Sequence, residues 1–225
     1  MNINFEFIKE NIPLYQKAAL ITLNLAFWSI LFSILLGIVC SLIQYHKIKI
    51  LRNVVQVYIE LSRNTPLLIQ LFFLYYGLTK FGLKLNENTC AIVGLTFLGG
   101  SYMAESFRSG IEAVSKTQIE AGLSIGLSKI QLTRYIIMPQ AFSISIPAIS
   151  ANCIFLLKET SIVGAISILE LMNVTKDLIG MYYQTTEALL MLVVSYFILI
   201  LPLSVLLTFI ERKVRYAEFG HKNAF

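Results

Sequence analysis

Residues 120–139 read EAGLSIGLSKIQLTRYIIMP. The chain on both sides is oily enough for a bilayer, yet this stretch carries polar and charged side chains throughout. Glu120 suits the first turn of a helix, where its charge meets the positive end of the dipole. Pro139 favours a break before the next apolar run, because the residue ahead of a proline is steered out of helical geometry. Between them Ala121, Gly122, Ser124 and Gly126 offer almost no bulk, while Leu123, Ile125 and Leu127 supply apolar knobs. Glycines weaken a helix, so their cost calls for a compensating close contact. A short helix of this make-up can lie in a groove of a soluble partner. It can equally be an ordinary loop helix at the membrane surface, and physical reasoning alone leaves both open.

The surroundings set the class. Of 225 residues, 56% are hydrophobic and only 14% charged, with a mean hydropathy of +0.72, which places the chain in a membrane. A spanning helix needs about 20 apolar residues. Five stretches qualify as spans, 19–43, 54–78, 90–107, 141–157 and 188–210, so that 1–225 forms one all-α transmembrane domain with the opening stretch in its 108–139 loop. Pro66 predicts a break or kink in the second span, and the Gly99-Gly100 pair allows close helix packing in the third. Segment 158–187 is too short and interrupted to span, which suggests a partly buried or re-entrant element. Near the start, Phe5, Ile8 and Ile12 share a helical face compatible with an interfacial helix.

Five spans put the termini on opposite sides. With the N-terminus outside, twelve basic residues fall inside, among them Lys47, Arg52, Arg108, Lys129, Arg212 and Lys222, against six outside. That bias places the 108–139 loop and the C-terminus in the cytoplasm. The net charge of +5 sits in short connections and signals topology, not nucleic-acid binding. Cys40, Cys90 and Cys153 have no metal-like spacing and an odd count, so packing is their expected role. His46 and His221 are too far apart in sequence to suggest a metal site, and no cleavable signal peptide is visible. Polar Asn24, Gln70 and Asn152 inside spans need partners, which a dimer would supply. The nearest approach to a P-loop, GLTKFG at 77–82, continues with Leu83 and Lys84 and lacks the Lys-Ser/Thr pair. This chain is therefore not expected to hydrolyse ATP by that mechanism.

The spacing Glu120-Ala121-Gly122, Gly126, Ile136, Met138-Pro139 resembles the EAA loop of bacterial ABC-importer permeases: E-A-A, three residues, G, nine residues, then I-x-L-P. Gly122 and Met138 depart from the usual alanine and leucine. YIELSRNTPLLIQLFFLYYGL (58–78) resembles the second-span signature of polar amino-acid permeases, usually written with RGTPLL, with Asn64 at the glycine. SYMAESFRSGIEAVSKTQIEAG (101–122) and LLKETSIVGAISILEL (156–171) are similar to the same histidine, glutamate, glutamine, arginine and opine uptake subfamily, and the matching blocks cover most of 18–172. The resemblance implies a type I ABC-importer permease fold in the bacterial inner membrane and import of a polar amino acid by alternating access. It implies two ATPase subunits holding ATP and Mg2+, an extracytoplasmic amino-acid-binding protein, and a second permease, self or relative. The loop would then be the coupling helix, with Glu120, Ala121, Gly122, Gly126 and Leu127 at the ATPase.

Three further groups are candidates. Lys158, Glu159, Thr160 and Ser161 end the fourth span, where ionisable groups are functional candidates by default. Glu159 could receive an ammonium group and Lys158 or Thr160 a carboxylate; interfacial anchoring is as good a reading. The subfamily has a KxTS block here, often with Asp at the place of Glu159. Arg63, Thr65 and Pro66 lie at the inner end of the second span, where anchoring and a kink come first and gating second. Glu105 and Arg108, three residues apart on a helix, are expected to form a stabilising pair, with a substrate or gating role as the alternative. A secondary carrier driven by an ion gradient is the competing function. It would show paired repeats or broken helices around an ion site, and the sequence has neither a repeat nor a set of buried carboxylates. An intramembrane hydrolase would need a nucleophile beside a base, for which neither histidine is placed.

Overall fold

A chain without water around it must close its own backbone hydrogen bonds, and this one does so as helices. The computed structural model describes residues 3–219, with side chains through Val214, and no strand occurs among them. Helix α1 runs Phe5–Tyr45, capped by Asn4, whose Oδ1 accepts the Phe7 amide at 3.1 Å. The expected interfacial helix is therefore not a separate element, because the same rod continues into the first span. Phe7, Tyr15 and Ala18 are buried toward the bundle with Ile8 packed beside them, while Phe5 and Ile12 are exposed.

Among the described residues, four helical stretches are long and apolar enough to cross a membrane: α1, α4 (Glu87–Glu112), the run Lys129–Ile166 and the part of α9 from Thr185 to Val214. The 54–78 stretch is divided. Helix α2 (Lys49–Asn64) stops at Thr65-Pro66, and α3 (Leu67–Phe72) continues through a wide turn, Phe73–Gly77, into a 3-10 turn, Leu78–Phe81. After α4 come α5 (Lys116–Ser124) and α6 (Lys129–Leu132), a wide turn at Thr133–Ile137, and α7 (Met138–Glu159). A 3-10 turn, Thr160–Ile166, leads to α8 (Leu171–Tyr182) and then α9 (Thr185–Phe219).

The break expected at Pro139 does not form. Pro139 sits in the first turn of α7, where a missing N–H costs least, and the wide turn before it passes the Met138 amide back to Thr133. The chain instead turns at Gly126–Ser128. Glu120 accordingly lies in the middle of α5 and not in its first turn.

Close approach of α1 and α4 organises the bundle. Gly37 of α1 lies against the Met103–Ala104 backbone, where a Cβ would meet Met103 C at 2.8 Å and Ala104 N at 2.9 Å. On α4, Gly99 faces Ser33 and Leu156, and Gly100 faces Leu36 and Tyr58, so the pair lets α1, α2 and α7 all reach one helix. At one end α8 packs Leu171, Val174 and Leu178 onto Phe7, Tyr15 and Ala18 of α1 and Ala188, Met191 and Leu192 of α9. At the other end Ile111, Val114, Leu132, Ile137 and Ala141 gather with Tyr45. The outside is apolar too: Leu20, Phe27 and Leu35 of α1 and Val193, Phe197 and Phe209 of α9 are all exposed. In water such a surface would aggregate, whereas lipid or another apolar chain covers it.

Two of the three polar residues expected to need a second chain find partners within this one. Asn152 Nδ2 donates to Ser106 Oγ at 2.9 Å, and Gln70 is bonded at the α2–α3 break. Asn24 is exposed among apolar residues of α1.

Candidate functional site

The α5 end begins with a helix that stops abruptly. The Leu127 amide bonds the Gly122 carbonyl at 3.2 Å and the Gly126 amide bonds that of Leu123 at 3.0 Å, the paired bonds of a Schellman ending. Such an ending needs a left-handed residue, and Gly126 has φ +83. Ser128 then starts α6 with a capping box, exchanging bonds with Gln131. The two small residues of this motif therefore have separate causes. Gly122 is buried in the hairpin, where a Cβ would lie 2.6 Å from both Leu132 Cδ1 and Ile136 Cδ1. Gly126 faces open space, with no atom near a would-be Cβ.

Among exposed polar residues such as Gln118, Lys129 and Gln131, this end also shows large apolar side chains outward. Leu123 (51%), Ile125 (77%), Ile130 (78%) and Tyr135 (65%) are exposed beside exposed Glu120, Ala121 and Gly126. Leu127, expected among the knobs, instead packs inward on the Ile111–Ala141 cluster. Ile130 and Tyr135 were not singled out from sequence. Their signal was present, since both are large apolar residues flanked by polar ones, Ile130 by Lys129 and Gln131 and Tyr135 by Arg134.

At the α2–α3 break the chain repairs its own lost bonds. Pro66 has no amide to give the Ser62 carbonyl, and Gln70 Nε2 replaces it at 3.0 Å, also reaching Thr65 O at 3.1 Å and Thr65 Oγ1 at 2.9 Å. Thr65 Oγ1 donates to Leu61 O at 2.6 Å. Arg63 turns away and lies over the Tyr102 ring at 5.2 Å. Gln70 is the residue sequence reasoning left without a role here. Gln70→Leu keeps the shape and removes the substitute donor, so it is expected to cost about 1–3 kcal/mol. Thermal unfolding of the purified protein should fall by roughly 2–10 °C; an unchanged midpoint would mean water serves Ser62 equally well.

Segment α3 joins this break to the 158–161 group. Its Leu67 and Leu71 share a core with Val163 and Ile166 of the 3-10 turn. Lys158 is exposed and Glu159 half-buried in the last turn of α7, and neither forms an ion pair among the described residues. Thr160 is buried and donates to Leu157 O at 2.7 Å. From α9 the Tyr196 hydroxyl, also buried, stands beside the Thr160 and Ser161 side chains without closing a well-formed hydrogen bond. Tyr196 was missed because it looks like one more aromatic in an apolar run.

Glu105 and Arg108 do pair. Arg108 holds Glu105 through two nitrogens and Glu112 through Nη1 at 2.6 Å. All three are partly exposed, so the cluster contributes little to stability and keeps a charged collar on α4.

Comparison with known proteins gives one consistent answer. A family model described as "Binding-protein-dependent transport system inner membrane component" matches residues 23–216. The "Probable amino-acid ABC transporter permease protein PatM" of Vibrio harveyi is 31% identical over 220 residues, 96% of this chain and 99% of the relative. The "Probable amino-acid permease protein YxeN" of Bacillus subtilis (strain 168) is 35% identical over 213 residues, 93% and 95% of the two chains. Among solved structures, a chain from "Crystal structure of an amino acid ABC transporter with histidines" superposes with a TM-score of 0.87 at 33% identity, covering 95% of this chain and 100% of that one.

Proposed function

Because the chain belongs to the family of binding-protein-dependent transport system inner membrane components, it is a membrane permease subunit of an ABC importer, and we propose that its cargo is a polar amino acid. The names of its relatives support that cargo. The family is the membrane component, so ATP hydrolysis resides in other subunits. In the arrangement we favour, α2 and α3 together make a fifth crossing, the N-terminus is extracytoplasmic, and the α5 end faces the cytoplasm.

The observation that carries this reading is the exposed apolar group at α5 and α6. A membrane protein gains nothing by presenting Leu123, Ile125, Ile130 and Tyr135 to the cytoplasm unless a soluble partner covers them. That partner is an ATPase, two copies per importer, holding ATP and Mg2+. Glu120, Ala121 and Gly126 complete the contact, while Gly122 and Leu127 shape it from inside the hairpin. A second permease, self or relative, completes the translocation path, and an extracytoplasmic binding protein delivers the substrate to the α8 end. Lys158, Glu159, Thr160 and Ser161, with Tyr196 beside them, line that path. Arg63, Thr65 and Pro66 at the break give it a flexible wall, and Glu105 and Arg108 stay structural.

Purification of the tagged protein from its own membrane should bring down a P-loop ATPase, and vesicles carrying the complex should take up a polar amino acid only with ATP and the binding protein. Uptake under an ion gradient without ATP would overturn the reading. In the same vesicles Glu159→Ala is expected to raise the apparent KM about tenfold or more for substrates whose ammonium group it receives. Unchanged kinetics for every accepted amino acid would return Glu159 to an anchoring role.

A further inference from the structure

Glu170 is fully buried and stands between the Thr160–Ile166 turn and α8. Its side chain folds over the first turn of α8, where Oε2 accepts the Met172 amide at 2.7 Å and Oε1 the Asn173 amide at 2.8 Å. The same carboxylate abuts the turn: a Cβ on Gly164 would lie 3.0 Å from Oε1 and 2.9 Å from Asn173 Cβ. Helix α8 is in turn fastened to the bundle. Thr22 of α1 accepts the Leu171 amide at 3.4 Å, and the Tyr15 hydroxyl lies 2.8 Å from both Thr175 Oγ1 and the Ala188 carbonyl of α9. An exposed Ser or Asp would cap α8 as well. Burying a carboxylate with no ion pair is costly, so the capping bonds alone do not account for it.

We propose that Glu170 is a positioning residue: its ionised carboxylate latches the first turn of α8 through the Met172 and Asn173 amides, the Thr160–Ile166 turn, and with it the Lys158–Ser161 group, packs against that latched turn at Gly164, and proton uptake releases the latch. The functional half of this rests on the substrate path proposed above. The charged and titratable groups around Glu170 are few. Lys176 lies farther along α8, Tyr196 faces it from α9, α1 brings Tyr15, and the 160–166 turn brings none. Burial pushes the Glu170 carboxyl up to about 7, against the downward pull of its two amide bonds and Lys176. The sign follows. A raised carboxyl favours the protonated fold, so that contribution to stability is complete below the ordinary carboxylate range and is lost as pH rises through about 7. The latch runs the other way, because a protonated oxygen no longer accepts an amide well, and it closes above that pH.

The test uses the whole importer in nanodiscs and vesicles. Hydrogen exchange over residues 168–176, corrected for intrinsic rates, should show protection at Met172 and Asn173 falling about tenfold between pH 8 and pH 6. Binding-protein-dependent uptake should inflect at the same pH. Glu170→Gln should lose both pH responses, and Glu170→Asp should keep the protection step. PH-independent protection in the wild type overturns the proposal even if Glu170→Gln fails to fold. Glu170→Gln behaving as wild type also overturns it. If Glu159→Ala leaves uptake untouched while the exchange step persists, the substrate path fails and the latch stands.

Discussion

A Gly37→Leu permease is expected to disappear from the membrane as a folded species. The α1–α4 contact leaves no room for even one carbon at Gly37, and what blocks it is the Met103–Ala104 backbone, which cannot rotate aside as a side chain would. Overpacking a core commonly costs about 1–3 kcal/mol. Here helix must part from helix at a backbone-to-backbone contact, so the cost should reach or exceed that range. Detergent extraction followed by size-exclusion chromatography should recover less than about a tenth of the wild-type monodisperse peak. Gly37→Ala should be intermediate. Gly180→Ala in α8, where a Cβ meets nothing, should be neutral or slightly stabilising, since glycine inside a helix costs about 0.5–1 kcal/mol relative to alanine. Full recovery of Gly37→Leu would mean that α1 and α4 are not packed as described.

Gly126→Asp is the second large effect, and it should spare the fold while ending transport. Its φ of +83 is left-handed, a region that Asp visits more readily than most residues, at about 1–2 kcal/mol. Nothing in this chain touches a side chain there. A carboxylate beside Ile125 and Leu123 would, however, be pressed into an apolar partner surface, where an unpaired charge is costly. ATP-driven uptake should fall at least a hundredfold with the protein still inserted, and the ATPase should no longer co-purify. Gly126→Asn carries the same strain without the charge and should retain far more activity. Ile125→Asp carries the charge without the strain and should match Gly126→Asp. Normal uptake by Gly126→Asp would remove the α5 end from the coupling role.

The sequence disclosed whatever depends on local composition. Long apolar runs announced the helices, Pro66 the divided α2–α3 stretch, and Arg108 its pairing with Glu105. Long-range packing was harder to see. The polar opening of α1 hid a second, inward face, on which Phe7, Tyr15 and Ala18 repeat at helical spacing against α8. Pro139 read as a stop because a proline steers the residue before it out of helical geometry, yet Met138 stays helical behind a wide turn at 133–137. Gly122 and Gly126 looked alike as small residues, yet one is set by neighbours within the hairpin and the other by a backbone angle. Glu170 and Tyr196 carried no local signal. A carboxylate in ILEL resembles any surface acid until the fold closes over it.

The length of α1 has a mechanical corollary. Its 41 residues extend about 60 Å, roughly twice the hydrocarbon thickness of a bilayer. One grip is on α8 through Tyr15, just past Pro13, and the other, about 45 Å along the helix, is wedged by Tyr45 into the cluster beneath α5 and α6. A strut gripped at both extremities transmits rotation without bending any intervening segment. A swing of about 5° about one grip sweeps the other through about 4 Å. Leverage of this kind needs no relay of side chains through the bundle, only stiffness, and stiffness is what an unbroken helix supplies.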